Sequence, residues 1–456
     1  MSEQAGTIPV GVPARARRTG EAGHKPYNAE PLVWTERMLE ALERGVQGGK
    51  WYSLIDKIVS VEVLDRAFTK VASNRGAAGV DHVTVDQFAS RREEELARLS
   101  EELRTGKYRP QPIRRQYIPK PGSREKRPLG IPTIRDRTVQ AALLMALEPI
   151  YERGFAEHSY GFRPGRGARD GLRRVDALLR DGYSFVVDVD LKSYFDSIPH
   201  ERLLALVGEK VADGKVMELI AGFLRQGIMD GLQIWVPTMG TPQGAVISPL
   251  LSNIYLDPLD QTMAEQGFEM VRYADDFVIL CRSQRDAEEA LARVQAWATR
   301  VGLTLHPTKT RIVNLHQPGA WFDFLGYRFK RHDHPNGTFR ILRLVRDKSL
   351  AKARDAIRTL TPRNTGISLT EIIRQTNCWA RGWFGYFRSV HRNIHQSLDS
   401  MLRRRLRSIL SRRKGRERWG RGNAHFLWPN AYFTEHGLFS LEQAHTEFIT
   451  SRKGPQ

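Results

Sequence analysis

Cysteine and long apolar runs are scarce in this sequence, and their scarcity excludes several classes of protein. The two cysteines, Cys281 and Cys378, stand far apart, which fits neither a disulfide framework nor a zinc site and indicates a reducing compartment. No apolar run approaches the roughly 20 residues of a membrane-spanning helix. No apolar stretch follows Arg15, Arg17 and Arg18, so the N-terminus does not resemble a secretory signal. We therefore expect a cytoplasmic protein with no membrane partner.

Acidic residues are also in deficit. The 456 residues include 71 Lys and Arg but only 51 Asp and Glu, which gives a net charge of +20 and a pI near 10.1. This surplus favours a polyanionic partner, because every neutralised phosphate releases counterions. Solubility alone is the alternative, and the clustering of positive charge between residues 403 and 421 argues against it. A hydrophobic fraction of 41% supports a sizeable folded core.

Periodicity and turn residues divide the chain into regions of different secondary structure. Residues 1–30 are rich in Gly, Pro, Ala and charge and predict a disordered tail. Helices are expected from near Trp34, strands in the middle, and Arg-rich helices beyond about residue 340. The other expected elements are a helix at Val85–Leu103, a hairpin at Tyr117–Ile131 turning at Pro121-Gly-Ser123, a helix at Val139–Ile150 closed by Pro149, a strand at Ser184–Leu191, a helix at His200–Val207, a hairpin at Val271–Cys281, a helix at Ala287–Val301 and short strands within Ile312–Arg328.

Two acidic sites follow apolar strands in the middle region. Phe185-Val-Val-Asp-Val-Asp190 ends a strand on an acid, and Tyr273-Ala-Asp-Asp276 places two acids at a hairpin tip. Such positions can bring carboxylates to one sheet edge, where hard oxygen ligands favour Mg²⁺. Two ions roughly 3.5–4 Å apart suit nucleotidyl transfer. A lone Asp-Asp pair is more often a solvated turn, but the flanking apolar arms argue against that here. Asp188, on the same strand face as Asp190, is a second possible ligand.

Around these acids the sequence resembles a known family. The hairpin box, the run Pro242-Gln-Gly-Ala-Val-Ile-Ser-Pro-Leu-Leu-Ser-Asn253 and residues Asp190–Phe195 resemble the palm of a reverse transcriptase. Further motifs, in the same order, are similar to those of group II intron-encoded proteins. They are Ile118-Pro-Lys-Pro121, Arg127-Pro-Leu-Gly-Ile-Pro132, His158-Ser-Tyr-Gly-Phe-Arg-Pro164, Gly302-Leu-Thr-Leu-His-Pro-Thr-Lys-Thr310 and Phe324-Leu-Gly-Tyr327. The resemblance covers roughly residues 35 to 430.

The resemblance implies a fold and a catalytic set. It implies an α+β right-hand polymerase, with fingers and palm followed by a helical thumb or maturase domain. Asp190, Asp275 and Asp276 would be catalytic, with Asp190 preferred to Asp188. Two Mg²⁺ ions would be bound at Asp190, Asp275 and Leu191.

The resemblance also implies nucleotide-binding residues, namely Lys120, Arg127, Phe195, Gln243 and Lys309. Lys120 and Arg127 flank a hairpin turn and would grip a triphosphate, since guanidinium forks and ammonium charges suit phosphate. A one-residue difference in the turn would leave Arg124 or Lys126 as competitors. Phe195 would exclude a 2′-hydroxyl, with a core phenylalanine as the alternative. Lys309 would lie near the nucleotide, with a surface lysine as the alternative.

Two further segments are candidates for nucleic-acid contact. The loop Gly161–Gly167 lacks the lysine and serine of a P-loop, and we expect it to contact the template. In the thumb, leucines and isoleucines interleave with arginines at helical spacing, so one face can dock while another meets phosphate. The expected RNA-binding residues are Arg403, Arg404, Arg405, Arg407, Arg412, Arg413 and Lys414. Aromatics beside arginines in Trp379–Arg388 suit base stacking, although a thumb core explains most of them.

These patterns divide the chain into five regions. They are a disordered tail at 1–30, an N-terminal helical extension at 31–110, fingers and palm at 111–335, a helical thumb and maturase RNA-binding domain at 336–423, and a C-terminal tail at 424–456. Only 35 residues follow Arg421, and they contain no cysteine. We therefore expect the bacterial type that lacks a C-terminal endonuclease domain, since so short a stretch cannot form one.

The function implied is RNA-directed DNA synthesis on an RNA template, from a DNA or RNA primer and with deoxynucleotides. The resemblance also implies binding of the group II intron RNA, assistance of its splicing, and copying of the intron during retrohoming into a target DNA, with association to the nucleoid. One alternative is a reverse transcriptase of a phage-defence or CRISPR-associated system. Another is a splicing-only maturase, which the intact Asp190, Asp275 and Asp276 argue against.

Overall fold

A computed structural model describes residues 29–119, 126–414 and 423–453 of the chain. The expected hairpin turn at 121–123, the candidate Lys120 and its competitor Arg124 lie outside these residues, as does the expected N-terminal tail except for its last two residues. Among the described residues, no helix combines the length and apolarity needed to cross a bilayer.

Helices dominate both ends of the described chain, and strands lie in its middle. The helices are α1 (Glu36–Arg44), α2 (Ile55–Ile58), α3 (Val61–Ser73), α4 (Val85–Ala89), α5 (Arg92–Arg104), α6 (Ile134–Glu152), α7 (Ala168–Arg180), α8 (Tyr194–Ser197), α9 (His200–Gly208), α10 (Gly214–Leu224), α11 (Ser248–Glu265), α12 (Gln284–Arg300), α13 (Asp347–Leu360), α14 (Leu369–Phe387), α15 (Arg392–Arg413), α16 (Asn423–Leu427), α17 (Asn430–Glu435) and α18 (Leu441–Lys453). The strands are β1 (Ile113–Pro119), β2 (Lys126–Ile131), β3 (Phe185–Asp190), β4 (Ile228–Asp230), β5 (Gln233–Trp235), β6 (Glu269–Tyr273), β7 (Asp276–Cys281), β8 (Arg311–Asn314), β9 (Trp321–Phe324), β10 (Tyr327–Asp333) and β11 (Phe339–Val345).

Two expected helices differ in their ends. The helix expected to close at Pro149 continues to Glu152, because a proline near the C-terminus of a helix removes a single hydrogen bond and this one is buried in the core. The helix expected at Val85–Leu103 is two helices. Thr84 and Gln87 form a reciprocal capping box that starts α4, and the chain then breaks before α5.

The central sheet has the order β6-β7-β3-β8, and all its pairings are antiparallel. Side chains alternate across a strand, so Val187 and Val189 of β3 enter the core beneath α11 and α12. Val186 enters a second core on the opposite face, where α7 packs. Burial on both faces explains the nearly continuous apolar run that precedes Asp190.

A second sheet has the order β2-β1-β4-β5. β1 and β2 form the expected hairpin, from Arg114↔Ile131 to Pro119↔Lys126. The loop before α11 is tied to this hairpin, since the Gly130 amide donates to the Gln243 carbonyl at 2.6 Å. The hydrogen bond fixes the hairpin relative to the chain that enters α11.

A third sheet has the order β11-β10-β9. Its strands β10 and β11 pair from Tyr327↔Val345 to Asp333↔Phe339. The expected domain boundary between residues 335 and 336 falls inside this hairpin and would separate its strands. We propose that the helical domain instead begins after Val345, with α13.

The C-terminal helices form a third core of their own. Helices α13, α14 and α15 pack together around buried side chains such as Ile357, Leu402 and Leu406. The residues expected to be a C-terminal tail contribute α16 to α18, and they bury Trp428 and Phe433 in the same core. The described part of this segment is therefore part of the helical domain. The architecture is α+β followed by a helical region, as the sequence predicts.

Candidate active site

The expected strand end and hairpin tip meet at one edge of the central sheet. Asp190, the last residue of β3, lies directly opposite Asp276, the first residue of β7. Asp275 lies in the turn before Asp276, after Ala274, whose φ of 58° is left-handed. The tight turn sets both hairpin acids beside the end of β3. The pairing of β3 with β7 is what brings residues so distant in sequence together.

Repulsion and burial act on these carboxyl groups together. Asp276 is exposed, and nearby protein atoms displace part of the water around its carboxyl group. That desolvation, followed by repulsion from Asp188, Asp275 and Asp190, raises the pKa of Asp276 to about 7. Desolvation and then the charge of Asp190 raise the pKa of Asp275 as well, against the lowering effect of Arg127. The edge therefore concentrates negative charge that favours a cationic partner.

One cation at this edge is Lys309, whose ammonium lies 2.9 Å from the carboxylate of Asp190. The lysine is held there by the chain around it, since the His306 amide donates to the Asp190 carbonyl at 2.7 Å. Leu191 is buried and bridges to Leu305 in the same segment. Lys309 therefore lies at the acidic edge and not on an unrelated surface.

Asp188 differs from Asp190 in its surroundings. It lies two residues inside the strand and forms an ion pair with Arg311 at 3.6 Å. Desolvation raises its pKa to about 6, even though Arg311 lowers it. Asp190 is thus the β3 acid at the sheet edge.

The acidic edge has the donor chemistry of a magnesium site, because carboxylate and main-chain oxygens are the ligands that Mg²⁺ prefers. In the described part of the chain, no three or more acidic, histidine or cysteine side chains are gathered closely enough to hold a metal ion. In this structure the Asp190 carboxylate is paired with Lys309. The residues fit the ion in type and charge, and the side chain of Asp190 would have to leave Lys309 to join them.

Of the expected nucleotide-binding residues that the structure describes, Arg127 lies in the second sheet, Gln243 in the loop before α11 and Phe195 in α8. Arg127 lies opposite Ile118 in the β1–β2 hairpin. Its side chain is exposed, and its charge is close enough to Asp275 to lower the pKa of that carboxyl group. Lys126 lies opposite Pro119 at the described end of β2. Gln243 is half-buried, and its carbonyl anchors β2.

Phe195 is also half-buried, in the short helix α8 just after β3. Its ring lies 5.4 Å from that of Tyr194, edge to face, and packs partly against the core. Its carbonyl accepts from the Thr241 amide at 2.6 Å, which ties α8 to the loop that carries Gln243. Phe195 is thus neither a wholly buried core residue nor a free surface residue.

A buried arginine behind the hairpin was not predicted from the sequence. Arg272 is fully buried, and its guanidinium donates to both carboxylate oxygens of Asp260 at 2.8 and 2.9 Å. It also donates to Asn253 at 3.0 Å and to the carbonyl of Ala274, in the turn that holds Asp275, at 2.9 Å. The sequence does contain an indication of this role, because Arg272 lies within an apolar strand and a buried guanidinium requires polar partners. Asn253 and Asp260, seven residues apart on one helix, supply them.

The same network reaches the loop Gly161–Gly167, whose expected contact with the template stays a prediction. Asn253 donates to the Gly161 carbonyl at 2.9 Å, and a Cβ on Gly161 would overlap the main chain of Ala274. Arg163 is buried and paired with Glu152 at 2.8 Å. Gly161 therefore packs behind the turn that holds Asp275, and Phe162 is exposed.

The expected RNA-binding residues of α15 divide into two groups. Arg407 is buried and donates to the Trp428 carbonyl at 2.8 Å and to Asn430 at 2.7 Å. Arg405 donates to the hydroxyl and the carbonyl of Thr361, both at 2.6 Å.

Three more of these residues have partners inside the domain. Arg403 lies 3.9 Å from Asp399, Arg413 donates to the Thr365 carbonyl at 3.3 Å, and Lys414 lies over the ring of Trp428. Arg404 and Arg412 are exposed. The arginines of this helix therefore do not act as one surface, and Arg407 is removed from the RNA-binding set.

Comparison with known proteins identifies the class to which this fold and site belong. Residues 118–329 match the family described as reverse transcriptase (RNA-dependent DNA polymerase), and residues 350–428 match the group II intron maturase-specific domain. The chain belongs to the reverse transcriptases of the group II intron maturase type, and it is an RNA-directed DNA polymerase of that family.

Individual relatives agree with this placement. The protein YkfC of Escherichia coli (strain K12) is 35% identical over 350 residues, which are 68% of this chain and 90% of that protein. The group II intron-encoded protein LtrA of Lactococcus lactis subsp. cremoris is 41% identical over 197 residues, 43% of this chain and 32% of LtrA. This chain thus matches about a third of the length of LtrA.

Among solved structures, a partial Cas6-RT-Cas1–Cas2 complex has a TM-score of 0.35 at 24% identity. The match covers 54% of this chain and 42% of that one. A likeness this slight carries no argument about function.

Proposed function

We propose that this protein binds its own group II intron RNA, assists its splicing and copies the intron into DNA during retrohoming at a target site. Synthesis would use an RNA template, a DNA or RNA primer and deoxynucleotides. The observation that carries the proposal is the meeting of Asp190, Asp275 and Asp276 at one sheet edge, in a chain that continues into a maturase-specific domain.

The residues around the edge have distinct proposed roles. Asp190, Asp275 and the main chain at Leu191 would hold two Mg²⁺ ions, which would activate the attacking primer oxygen and stabilise the leaving pyrophosphate. Lys120 and Arg127 would hold the triphosphate, with Lys309 nearby, and Gln243 would line the nucleotide pocket. Phe195 would lie under the sugar and exclude a 2′-hydroxyl. Asp276 would share the negative charge that attracts the ions.

Intron RNA would bind on the helical domain. The exposed Arg404 and Arg412 present charge to solvent, and Arg363, Arg358 and Arg404 repel Arg405 closely enough to lower its pKa, after the larger effect of burial. Arginines that repel one another in this way are stabilised by an anion bound beside them. RNA is the anion that the family implies.

The experiment is a comparison of Asp275→Asn and Asp190→Asn with the unaltered protein, in primer extension and in a splicing assay with the host intron. We expect a loss of DNA synthesis of at least about 10³-fold, since charge stabilisation at the reacting atoms accounts for effects of this size. RNA affinity and splicing should be nearly unchanged, because they depend on distributed phosphate contacts.

The matched control is Asp181→Asn, which removes an exposed carboxylate paired with Arg282 far from the edge. It should leave synthesis and splicing as they are. Full extension by either catalytic variant would refute the acidic site. Normal RNA binding with failed splicing by Asp275→Asn would refute the separation of the two activities.

A further inference from the structure

A cavity of about 340 Å³ lies where α7 and the third sheet meet the helical domain. Its walls come from five elements, namely α7, β10, β11, the end of α14 and α18. The charged residues that line it are Arg169, Arg173, Arg180, Arg343, Arg388 and Asp176. The cavity therefore has five guanidinium groups and a single carboxylate on its walls.

Two of these arginines share the carboxylate of the wall. Arg180 and Arg343 both form ion pairs with Asp176, the latter at 3.4 Å. One carboxylate can neutralise only one guanidinium, so this group of three side chains keeps a net positive charge.

Two further arginines of the wall add to that charge. Arg173 pairs with Asp170 at 2.9 Å. Arg169 donates to the Gly385 carbonyl at 2.6 Å, a neutral partner that leaves its charge in place. Two carboxylates thus face these four arginines, and this part of the cavity has a surplus of positive charge.

The chemistry of the walls selects a phosphate. Arginine presents a planar fork of N–H donors that matches phosphate oxygens, and Arg-rich clusters recognise phosphate in many proteins. The volume lies in the range of roughly 300–1,000 Å³ that holds small organic ligands, so the cavity can admit a nucleotide unit and not only an isolated ion. Tyr327 and Tyr386 add aromatic surface to the lining.

The cavity lies at a junction between the third sheet and the helical domain. The Tyr386 hydroxyl donates to the Leu325 carbonyl at 2.8 Å, and the Tyr327 hydroxyl donates to the Tyr386 carbonyl at 2.5 Å. These bonds join the helical domain to the turn between β9 and β10. A ligand in the cavity would touch both sides of that junction.

We propose that this cavity binds a backbone phosphate of an RNA strand and that the bound strand holds the helical domain against the palm. The identity of the polymer as RNA rests on the function proposed above. The site itself is separate from the acidic edge and from the exposed arginines of α15.

The test uses the full-length protein and a single-stranded RNA oligonucleotide, with Kd measured across a range of salt concentrations. Arg173→Gln with Arg180→Gln removes two exposed cavity charges and should weaken binding about tenfold at low salt. The log–log salt slope should fall by roughly 0.7 for each phosphate that the variant no longer neutralises.

The matched control is Arg293→Gln with Arg300→Gln, on the exposed face of α12. It changes the net charge by the same amount and should leave the affinity and the salt slope nearly constant. Equal weakening by the control pair would overturn the proposal.

A second variant tests the opposite direction. Asp176→Asn removes the shared carboxylate and frees both of its arginines for a phosphate, so affinity for RNA should rise several-fold. A scaffold role for the cluster predicts no gain, and unchanged or weaker binding by Asp176→Asn in a folded protein would refute the site.

A separate experiment asks whether the cavity binds a free anion instead of an RNA phosphate. Inorganic phosphate and pyrophosphate are each titrated into the protein while Tm is measured. Neither should stabilise the protein at millimolar concentration if an RNA strand is the ligand. If either anion stabilises the protein, and Arg173→Gln with Arg180→Gln abolishes that stabilisation without changing RNA affinity, the cavity binds a free anion and the RNA proposal is wrong.

Two variants measured in parallel, Asp275→Asn and Arg404→Gln with Arg412→Gln, report on the proposed function. Failure of the cavity variants alone would leave that function standing.

Discussion

The palm and the helical domain both bury ionisable side chains, and they satisfy them in different ways. In the palm, Arg272 has a carboxylate, an amide and a carbonyl as partners, and the carbonyl belongs to the turn that holds Asp275. In the helical domain, Arg407 has only neutral hydrogen-bond partners among the described residues, a carbonyl and an amide oxygen.

His395, fully buried in the helical domain, extends this contrast. Neither of its ring nitrogens has a hydrogen-bond partner among the described residues. In the palm the buried arginine is thus bonded to the turn that holds Asp275, whereas in the helical domain the partners of buried polar groups are neutral or, for His395, lacking among the described residues.

The largest expected effect concerns Arg272. Arg272→Met leaves Asp260 buried without its partner, which should destabilise the protein by about 3–5 kcal/mol. Adding Asp260→Leu should restore most of that stability, because the stranded charge is then removed as well. DNA synthesis should stay low in the double variant, since the Ala274 carbonyl still lacks its donor.

Denaturation midpoints and primer extension separate these two effects. A matched control is Arg282→Met, at an exposed arginine that forms a surface pair. Synthesis at the normal rate by the folded double variant would show that Arg272 supports only stability and would erase the contrast between the two regions.

The second expected effect concerns acid stability through His395. Burial, followed by the charge of His445, lowers the pKa of His395 to about 4, from an ordinary value near 6.5. Above pH 6.5 His395 is neutral in both the folded and the unfolded protein, so the folded protein has its full stability. As the pH falls from 6.5 toward 4, the unfolded chain takes up a proton that the folded protein does not, and stability is lost. The loss should approach ~3 kcal/mol.

The measurement is the free energy of unfolding between pH 4 and 7 for the unaltered protein and for His395→Phe, which removes the titrating group. The variant should show a flatter profile over this range, and His436→Phe, at an exposed histidine of the same domain, should not. Parallel profiles for the protein and His395→Phe would place the acid sensitivity elsewhere.

The third expected effect concerns Phe195, the half-buried residue beside the edge. Phe195→Ala should make room for a 2′-hydroxyl, so the preference for deoxynucleotides over ribonucleotides should fall by about tenfold or more. The readout is the ratio of the two kcat/KM values. Phe185→Ala, at a half-buried phenylalanine of β3, should leave that ratio alone. An unchanged ratio for Phe195→Ala would make its role one of packing.

The smallest expected effect separates the arginines of α15. Replacing Arg404 and Arg412 by Gln should reduce the salt slope of RNA binding by roughly 0.7–0.9 for each phosphate that is no longer neutralised, with little change in Tm. Arg407→Gln should lower Tm, because the carbonyl of Trp428 loses its buried donor, and should leave the slope as it was. The opposite assignment, with Arg407 controlling the slope, would mean that α15 rearranges when RNA binds.

Local pattern was enough to predict many of the elements. The strand ending at Asp190, the hairpin around Asp275 and the amphipathic α12 lie within a few residues of their expected positions. An apolar run, a tight turn and a helical repeat are each visible in neighbouring residues. The division of α4 from α5 and the continuation of α6 through Pro149 were missed, since capping and burial decided them.

The chemical type of the site is evident from the linear sequence, whereas the support of the site depends on tertiary packing. Asp190 and the acids of the hairpin tip are recognisable from their strand and turn contexts, because alternation and turn chemistry are local. The roles of Arg272 and Arg407 depend on Asp260, Asn253 and Trp428, which the fold brings in from elsewhere. An arginine has the same charge on a surface and in a core, so only the partners that the folded chain supplies distinguish a phosphate ligand from a structural residue.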